Sequence, residues 1–205
     1  MAWTLSEREN RDDQPMGDQC VHLRGTFGTY EALLEARGEK AVPRISYLEG
    51  RLFIVTPSNE REAFKSLIGC LVETYCLCAG KRFKTVGSWT IKDPRVDRGS
   101  EPDESFVFDF VDRPVRPDLA IEVVWTSTGI DKLEIYRALG VPEVWTWKKG
   151  RISIHVLEGE RYLEVPSSRV LPGIDVGELT RFLDRPTTFD APRAPREEGV
   201  SHAWR

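Results

Sequence analysis

Hydrophobic and polar positions follow three different rhythms along this chain, and each rhythm predicts its own element. Phe64, Leu67, Ile68, Leu71, Val72 and Tyr75 fall 3, 4, 7, 8 and 11 steps after the first of them. That spacing draws one stripe down a helix. Pro57-Ser58-Asn59 supplies a cap in front of it, so the pattern predicts a long helix ending near Ala79. Arg44-Ile-Ser-Tyr-Leu and Arg51-Leu-Phe-Ile-Val flank Glu49-Gly50, which reads as a two-stranded hairpin whose Gly supplies the positive φ of a tight turn. Leu119-Ala-Ile-Glu-Val-Val-Trp is apolar on both faces and reads as a central strand.

Weaker rhythms fill the intervals. Residues 29–37 predict a short helix stopped by Gly38, and residues 83–91 a strand followed by a loop rich in charge, Gly and Pro. A strand over 104–110 places Phe106, Phe108 and Phe110 on one face. A second short helix fits 130–139, ended by Gly140-Val-Pro142, and strands at 143–148 and 151–157 surround Lys149-Gly150. The order predicts an α/β fold, a mixed β-sheet core flanked by helices with an N-terminal β-hairpin. One domain spans 21–183, between a polar leader at 1–20 and a tail at 184–205 whose Ala-Pro-Arg-Ala-Pro-Arg composition resists packing. No internal repeat is visible.

Composition narrows the class. The 205 residues are 40% apolar and 30% charged, enough to bury a real core. No run approaches the ~20 apolar residues of a membrane span. The first ten residues turn polar too soon for a secretory signal, so a cytoplasmic protein is expected. The net charge of −4 argues against coating nucleic acid by bulk charge, although active-site carboxylates themselves pull the balance negative. The first 19 residues hold five acids and two bases, and residues 184–205 four of each, so the body between them is close to neutral. Cys20, Cys70, Cys76 and Cys78 make no disulfide framework, and Cys76-Leu-Cys78 lacks the two-residue gap of a zinc knuckle. They read as reduced, small core residues. Three scattered histidines count against a Ser-His-Asp hydrolase.

The position that points to chemistry is Glu122, a carboxylate in mid-strand between Ile121 and Val123. Such a group needs positive compensation, and a buried salt bridge is its commonest explanation. Two further features shift the balance. Asp103, in Glu101-Pro-Asp103, stands where a loop enters the neighbouring strand, so the two carboxylates approach each other if those strands pair. Paired carboxylates at a sheet end suit a hard divalent cation with open positions for water and phosphate oxygen. Lys132 lies one step into the following helix, which carries it back over the same end of the sheet, with Tyr136 on its face. A cation there can orient an attacking water and stabilise developing negative charge. A single Lys is more often a solvated surface residue, and Asp118, after Pro117, can be simply a strand-start residue.

Taken in order, Glu101-Pro-Asp-Glu-Ser-Phe, Pro117-Asp-Leu-Ala-Ile-Glu-Val-Val, Asp131-Lys-Leu-Glu-Ile-Tyr and Gly140-Val-Pro-Glu-Val-Trp resemble the Uma-type family of restriction endonucleases. That family is a bacterial branch of the PD-(D/E)XK nuclease superfamily. The hairpin ending in Pro57-Ser58 and the run Gly87-Ser88-Trp89-Thr90 are similar to it too, and the likeness spans roughly 22–183. The resemblance implies Asp103 and Glu122 as metal-binding carboxylates, Lys132 as the catalytic lysine and Mg²⁺ as cofactor, with Mn²⁺ as a substitute. A regular signature places the lysine two residues after Glu122, where this chain has Val124. The resemblance to this branch implies a lysine that has migrated to the next helix, which fits Lys132. The superfamily often adds a Glu from the first core helix, for which Glu60 and Glu62 are the candidates. Glu60 lies nearer the apolar stripe, while the family spacing favours Glu62. Arg61 stands where the family tends to show a His.

The leading expectation is therefore a metal-dependent endonuclease acting on DNA, with a magnesium-bound water as nucleophile and a homodimer as a plausible assembly. The alternative is a nuclease-fold protein of weak or lost activity that serves as a nucleic-acid-binding or regulatory module. A third reading makes the three residues a structural ion network, which leaves the motif order unexplained. Trp125, Trp145 and Trp147 read as core or subunit-interface residues rather than base-stacking platforms. Lys81, Arg82 and Lys84, and separately Lys148, Lys149 and Arg151, form two basic clusters at strand ends that can grip phosphates or simply face water.

Overall fold

The chain changes sheets three times, and the third change delivers Asp103. A computed structural model describes residues 17–109, 112–124 and 130–183. Expectations for residues 1–16, Phe110, Trp125 and the tail from 184 lie outside the described residues. In chain order the elements are β1 (Gln19–Arg24), α1 (Phe27–Arg37), β2 (Arg44–Leu48), β3 (Arg51–Thr56) and α2 (Asn59–Cys78). There follow β4 (Phe83–Thr85), β5 (Ile91–Asp93), β6 (Arg98–Ser100), β7 (Glu104–Phe108) and β8 (Leu119–Val123). The chain continues through α3 (Lys132–Ala138), β9 (Glu143–Lys148), β10 (Arg151–Glu158), β11 (Arg161–Val165) and α4 (Val176–Leu183).

A five-stranded sheet has the order β1-β3-β2-β6-β5, and a six-stranded sheet the order β11-β10-β9-β8-β7-β4. The second sheet is mixed: β8 and β9 run parallel, joined by a crossover through α3, while its other pairs are antiparallel. The hairpin β2–β3 turns through Glu49 and Gly50, both at positive φ, and β9–β10 repeats that turn at Lys149 and Gly150. Helix α2 starts where Ser58 Oγ accepts the Arg61 N–H, and Glu60 and Glu62 in its first turn suit the positive end of the helix dipole.

The central sheet separates two packing layers. On one face α2 and α4 close the main core over Ile121, Val123, Trp145, Trp147 and Ile154, so Trp145 and Trp147 are core residues. On the other, α3 packs Tyr136 over Ala120 and Val144, and Ile135 meets Leu48 and Phe53 of the five-stranded sheet. Helix α1 covers the outer side of that sheet, where the Tyr30 ring lies so close over Gly99 that a Cβ there would stand 2.3 Å from a ring carbon.

The sequence expectations lacked β11 and α4, and of the cysteines read as core residues Cys20 and Cys78 are exposed; three further details differ. The strand expected at 83–91 is two strands in different sheets, because Gly87 at φ +59° breaks the run and the chain crosses over. The loop expected after it holds β6. Strand β1 begins at Gln19, inside the segment read as a leader, and pairs with β3 over its whole length. No described helix is long and apolar enough to cross a membrane.

Candidate active centre

Glu101-Pro-Asp103 leaves β6 in one sheet and enters β7 in the other. The Asp103 N–H donates to Ile121 O at 3.1 Å, and the Val123 N–H donates to Asp103 Oδ2 at 2.7 Å. A side chain thus extends the β7–β8 ladder by one step and fixes the Asp103 carboxylate beside Glu122. Asp103 is 0% exposed and Glu122 3%.

Two carboxylates buried together demand positive partners. Arg44 of β2 donates from Nη1 to Asp103 Oδ1. Arg61, in the first turn of α2, donates from Nη2 to both Asp103 oxygens at 2.9 and 3.0 Å and from Nε to Oδ2 at 3.2 Å. That same Nη2 lies 3.7 Å from Glu122 Oε2, so one cation faces both carboxylates. Arg61 Nη1 is held from behind by Asp18 Oδ2 at 2.7 Å. Glu122 has its own partners on α3. Lys132 Nζ donates to both of its oxygens at 2.8 Å, and also to Glu101 O at 3.3 Å. Tyr136, one turn later, donates its hydroxyl to Glu122 Oε1. Asp131 caps α3 by accepting the Glu134 N–H at 3.1 Å, which fixes where Lys132 begins the helix.

These surroundings push the two carboxyls apart. Burial alone would raise Asp103, but Arg61, Arg44 and Lys132 outweigh it and hold the group below its ordinary value. Glu122 is raised, chiefly by burial and further by the charge of Asp103, against the pull of Lys132 and Arg61. Tyr136 is pushed well up by burial and by the adjacent Glu122, which keeps its hydroxyl a donor. Carboxyls driven in opposite directions are a frequent mark of a working site.

The structure brings Asp103, Glu122, Lys132 and Tyr136 together. Glu62 stands at the margin: it is 37% exposed, accepts from Arg44 Nη2, and takes Lys65 Nζ at 3.1 Å. Glu60 is exposed. Asp118 accepts the Phe108 N–H at 2.8 Å and serves as a strand-start residue. Arg44, Arg61 and Asp18 are the members that sequence reasoning missed. Arg61 did leave a signal, since it sits three residues before Phe64 and seven before Ile68, on the apolar stripe of α2. A cation on a buried stripe requires a buried anion.

Glu122 and Lys132 open onto a cavity of about 300 Å³ whose lining includes Thr146, Lys148 and His155. A larger hollow of about 710 Å³, lined by Lys81, Arg82, Lys84 and Asp109, lies at the far end of β7 from Asp103. The donor set fits a hard divalent cation. Two carboxylates converge on one seat for positive charge, and Arg61 Nη2 stands in that seat. Among the described residues no cluster of three or more His, Cys, Asp or Glu could hold a metal. Two carboxylates suffice for Mg²⁺, which commonly keeps several waters and substrate oxygens. Asp103 and Glu122 would be the residues to hold such a cation, and Arg61 has Asp18 as a second partner.

Comparison with known proteins identifies a family. The Uma2 family model, described as "Putative restriction endonuclease", matches residues 27–184. A solved structure from Anabaena variabilis ATCC 29413, described as a putative nuclease belonging to DUF820, is similar at 12% identity with a TM-score of 0.48, covering 73% of this chain and 96% of that one. No curated protein matches.

Proposed function

The chain belongs to the Uma2 family, and we propose that it is a metal-dependent endonuclease that hydrolyses phosphodiester bonds in DNA at the Asp103–Glu122–Lys132 centre. One observation carries this reading: two buried carboxylates from paired strands face a common cation, Arg61 Nη2, at 2.9 and 3.7 Å. Asp103 and Glu122 would hold the metal, whose chemistry is charge neutralisation at a phosphate oxygen and activation of water. The chain's own groups do the positioning. The Val123 N–H and Arg44 orient Asp103, and Tyr136 orients Glu122. Lys132 is a preorganised cation at the cavity mouth, and its longest bond, to Glu101 O, is the one that a water or phosphate oxygen displaces. Glu62 acts through Arg44, as a positioning group.

The second reading, a nuclease fold without strong activity, draws on one fact: Arg44 and Arg61 already satisfy both Asp103 oxygens without a metal. Nicking of supercoiled plasmid with Mg²⁺ or Mn²⁺, and with EDTA as control, separates the two. Metal-dependent nicking by the wild type that disappears in Glu122→Ala and Lys132→Ala supports the endonuclease. Nicking that persists in both variants sinks the assignment, and a wild type inert in both metals favours the second reading.

A further inference from the structure

Beside the catalytic groups the sheet carries a feature that phosphodiester hydrolysis alone does not need. Strands β8, β9 and β10 put Glu122, Thr146 and Ser153 side by side on one face, since Glu122 pairs with Thr146 and Thr146 with Ser153. On the same face Lys148 lies two residues beyond Thr146, and on the other side of Thr146 His155 pairs with Val144, because β9 and β10 run antiparallel. Towards α3 this face is apolar, with Ala120 and Val144 under Tyr136. Glu122, Thr146 and Lys148 make it polar further on, and His155, beside Val144, is hydrogen-bonded through Nε2 to Thr146 Oγ1 at 3.0 Å. Ile130 and Leu133 also line the cavity and give it an apolar wall. At the rim Lys148 is exposed and has no carboxylate partner among the described residues.

An apolar wall, a polar floor and a cation at the rim together suit a flat group with apolar faces, a hydrogen-bonding edge and an attached anion. A free phosphate would leave the apolar wall unused, and an apolar ligand would leave Lys148 and the remaining hydrogen-bonding capacity of the Thr146–His155 pair unused. We propose that this pocket holds the nucleotide adjoining the scissile phosphate. The base lies against Ile130 and Leu133, its edge meets Thr146 and His155, and its phosphate meets Lys148. The inference rests on the nuclease reading and deepens it. A cavity of about 300 Å³ takes one nucleotide rather than a base pair, so the substrate enters with that nucleotide unstacked, and single-stranded DNA is preferred over duplex. Of the two basic clusters, only the one containing Lys148 borders this pocket; Lys84 lines the remote hollow.

The test is fluorescence anisotropy with a labelled 20-nucleotide single strand and its duplex, in EDTA, over a series of salt concentrations. The wild type should bind the single strand more tightly. Lys148→Ala should shrink the slope of log affinity against log salt by about 0.7, the value of one phosphate contact on a single strand. Thr146→Val and His155→Ala should each weaken single-strand binding several-fold and erase the preference over duplex, with the slope unchanged. Lys84→Ala should match the wild type. The proposal is overturned if the three pocket variants bind like the wild type, if Lys84→Ala changes the slope as much as Lys148→Ala, or if the wild type prefers duplex or binds neither. Thermal melts of each variant exclude unfolding as the cause. Plasmid nicking in parallel keeps the two proposals apart. Nicking that needs Glu122, with unaltered binding by the pocket variants, removes the pocket and leaves the nuclease. The expected binding pattern with no nicking removes the nuclease and leaves a nucleotide-binding pocket.

Discussion

The two faces of β8, β9 and β10 are made from alternate residues of the same short segments, and their contents are opposite. One face sets Ile121, Val123, Trp145, Trp147, Ile152 and Ile154 against α2 and α4. The other sets Glu122, Thr146, Lys148 and Ser153 toward the cavity or its surroundings. The dry face gains stability from removing apolar area from water. The polar face carries a buried carboxylate pair that is tolerated only because Arg44, Arg61 and Lys132 reach it from three other elements. Strand alternation lets one stretch of chain hold the structure on one side and present chemistry on the other.

The strongest way to break that contrast is Asp103→Ala. It takes from two buried guanidinium groups the buried anion that they share, leaving Arg44 with the half-exposed Glu62 and Arg61 with Asp18 and Glu122, so it should cost about 3–5 kcal/mol in urea denaturation as well as all cleavage. A cost under about 1 kcal/mol would mean that the polar face contributes chemistry without structural consequence. Lys132→Ala comes next. Cleavage should fall by about 10²–10³-fold, the loss typical of one preorganised stabilising group, as read by single-turnover rates. Neighbouring positions on β10 sharpen the comparison. Ile154→Ala on the dry face should destabilise by about 2–5 kcal/mol, and Ser153→Ala on the other by no more than about 0.5 kcal/mol. Equal effects from those two would erase the distinction between the faces.

The smallest effect concerns pH. Hydrogen bonds from Arg137 lead in pushing Glu134 down to about 2, with Arg98 assisting. Because the folded value lies below the unfolded one of about 4.3, this contribution is complete above pH ~4.3 and is lost as pH falls toward 2. Glu134 is a third exposed, so melting curves of Glu134→Gln and wild type should differ by under about 1 kcal/mol at pH 6 and converge in acid.

The hairpin β2–β3 and helix α2 were legible because their signals are local: a turn chemistry in one case, a cap and a stripe in the other. Strand β1 was not, since all six of its residues are exposed and no burial period exists to be read. The split of 83–91 between two sheets depends on pairing partners, which no local pattern encodes. Asp103, Glu122 and Lys132 could be picked out as candidates because charge in or beside an apolar strand is conspicuous. Arg44 was hidden by its position at a strand end, and Asp18 by lying in a polar stretch, although each closes an ion pair that the carboxylates require.

The bonds of the charge centre also imply an order of assembly. Lys132 and Glu122 are only 10 residues apart, so their contact closes as soon as β8 and α3 meet. Arg61–Asp103 spans 42 residues, Arg61–Asp18 43 and Arg44–Asp103 59. Contacts that distant wait for loop closure and for both sheets to dock. A chain still emerging from the ribosome, or one cut between the sheets, therefore has Asp103 and Glu122 without the guanidinium groups that offset their charges. The two carboxylates gain their common cation only in a molecule that has finished folding.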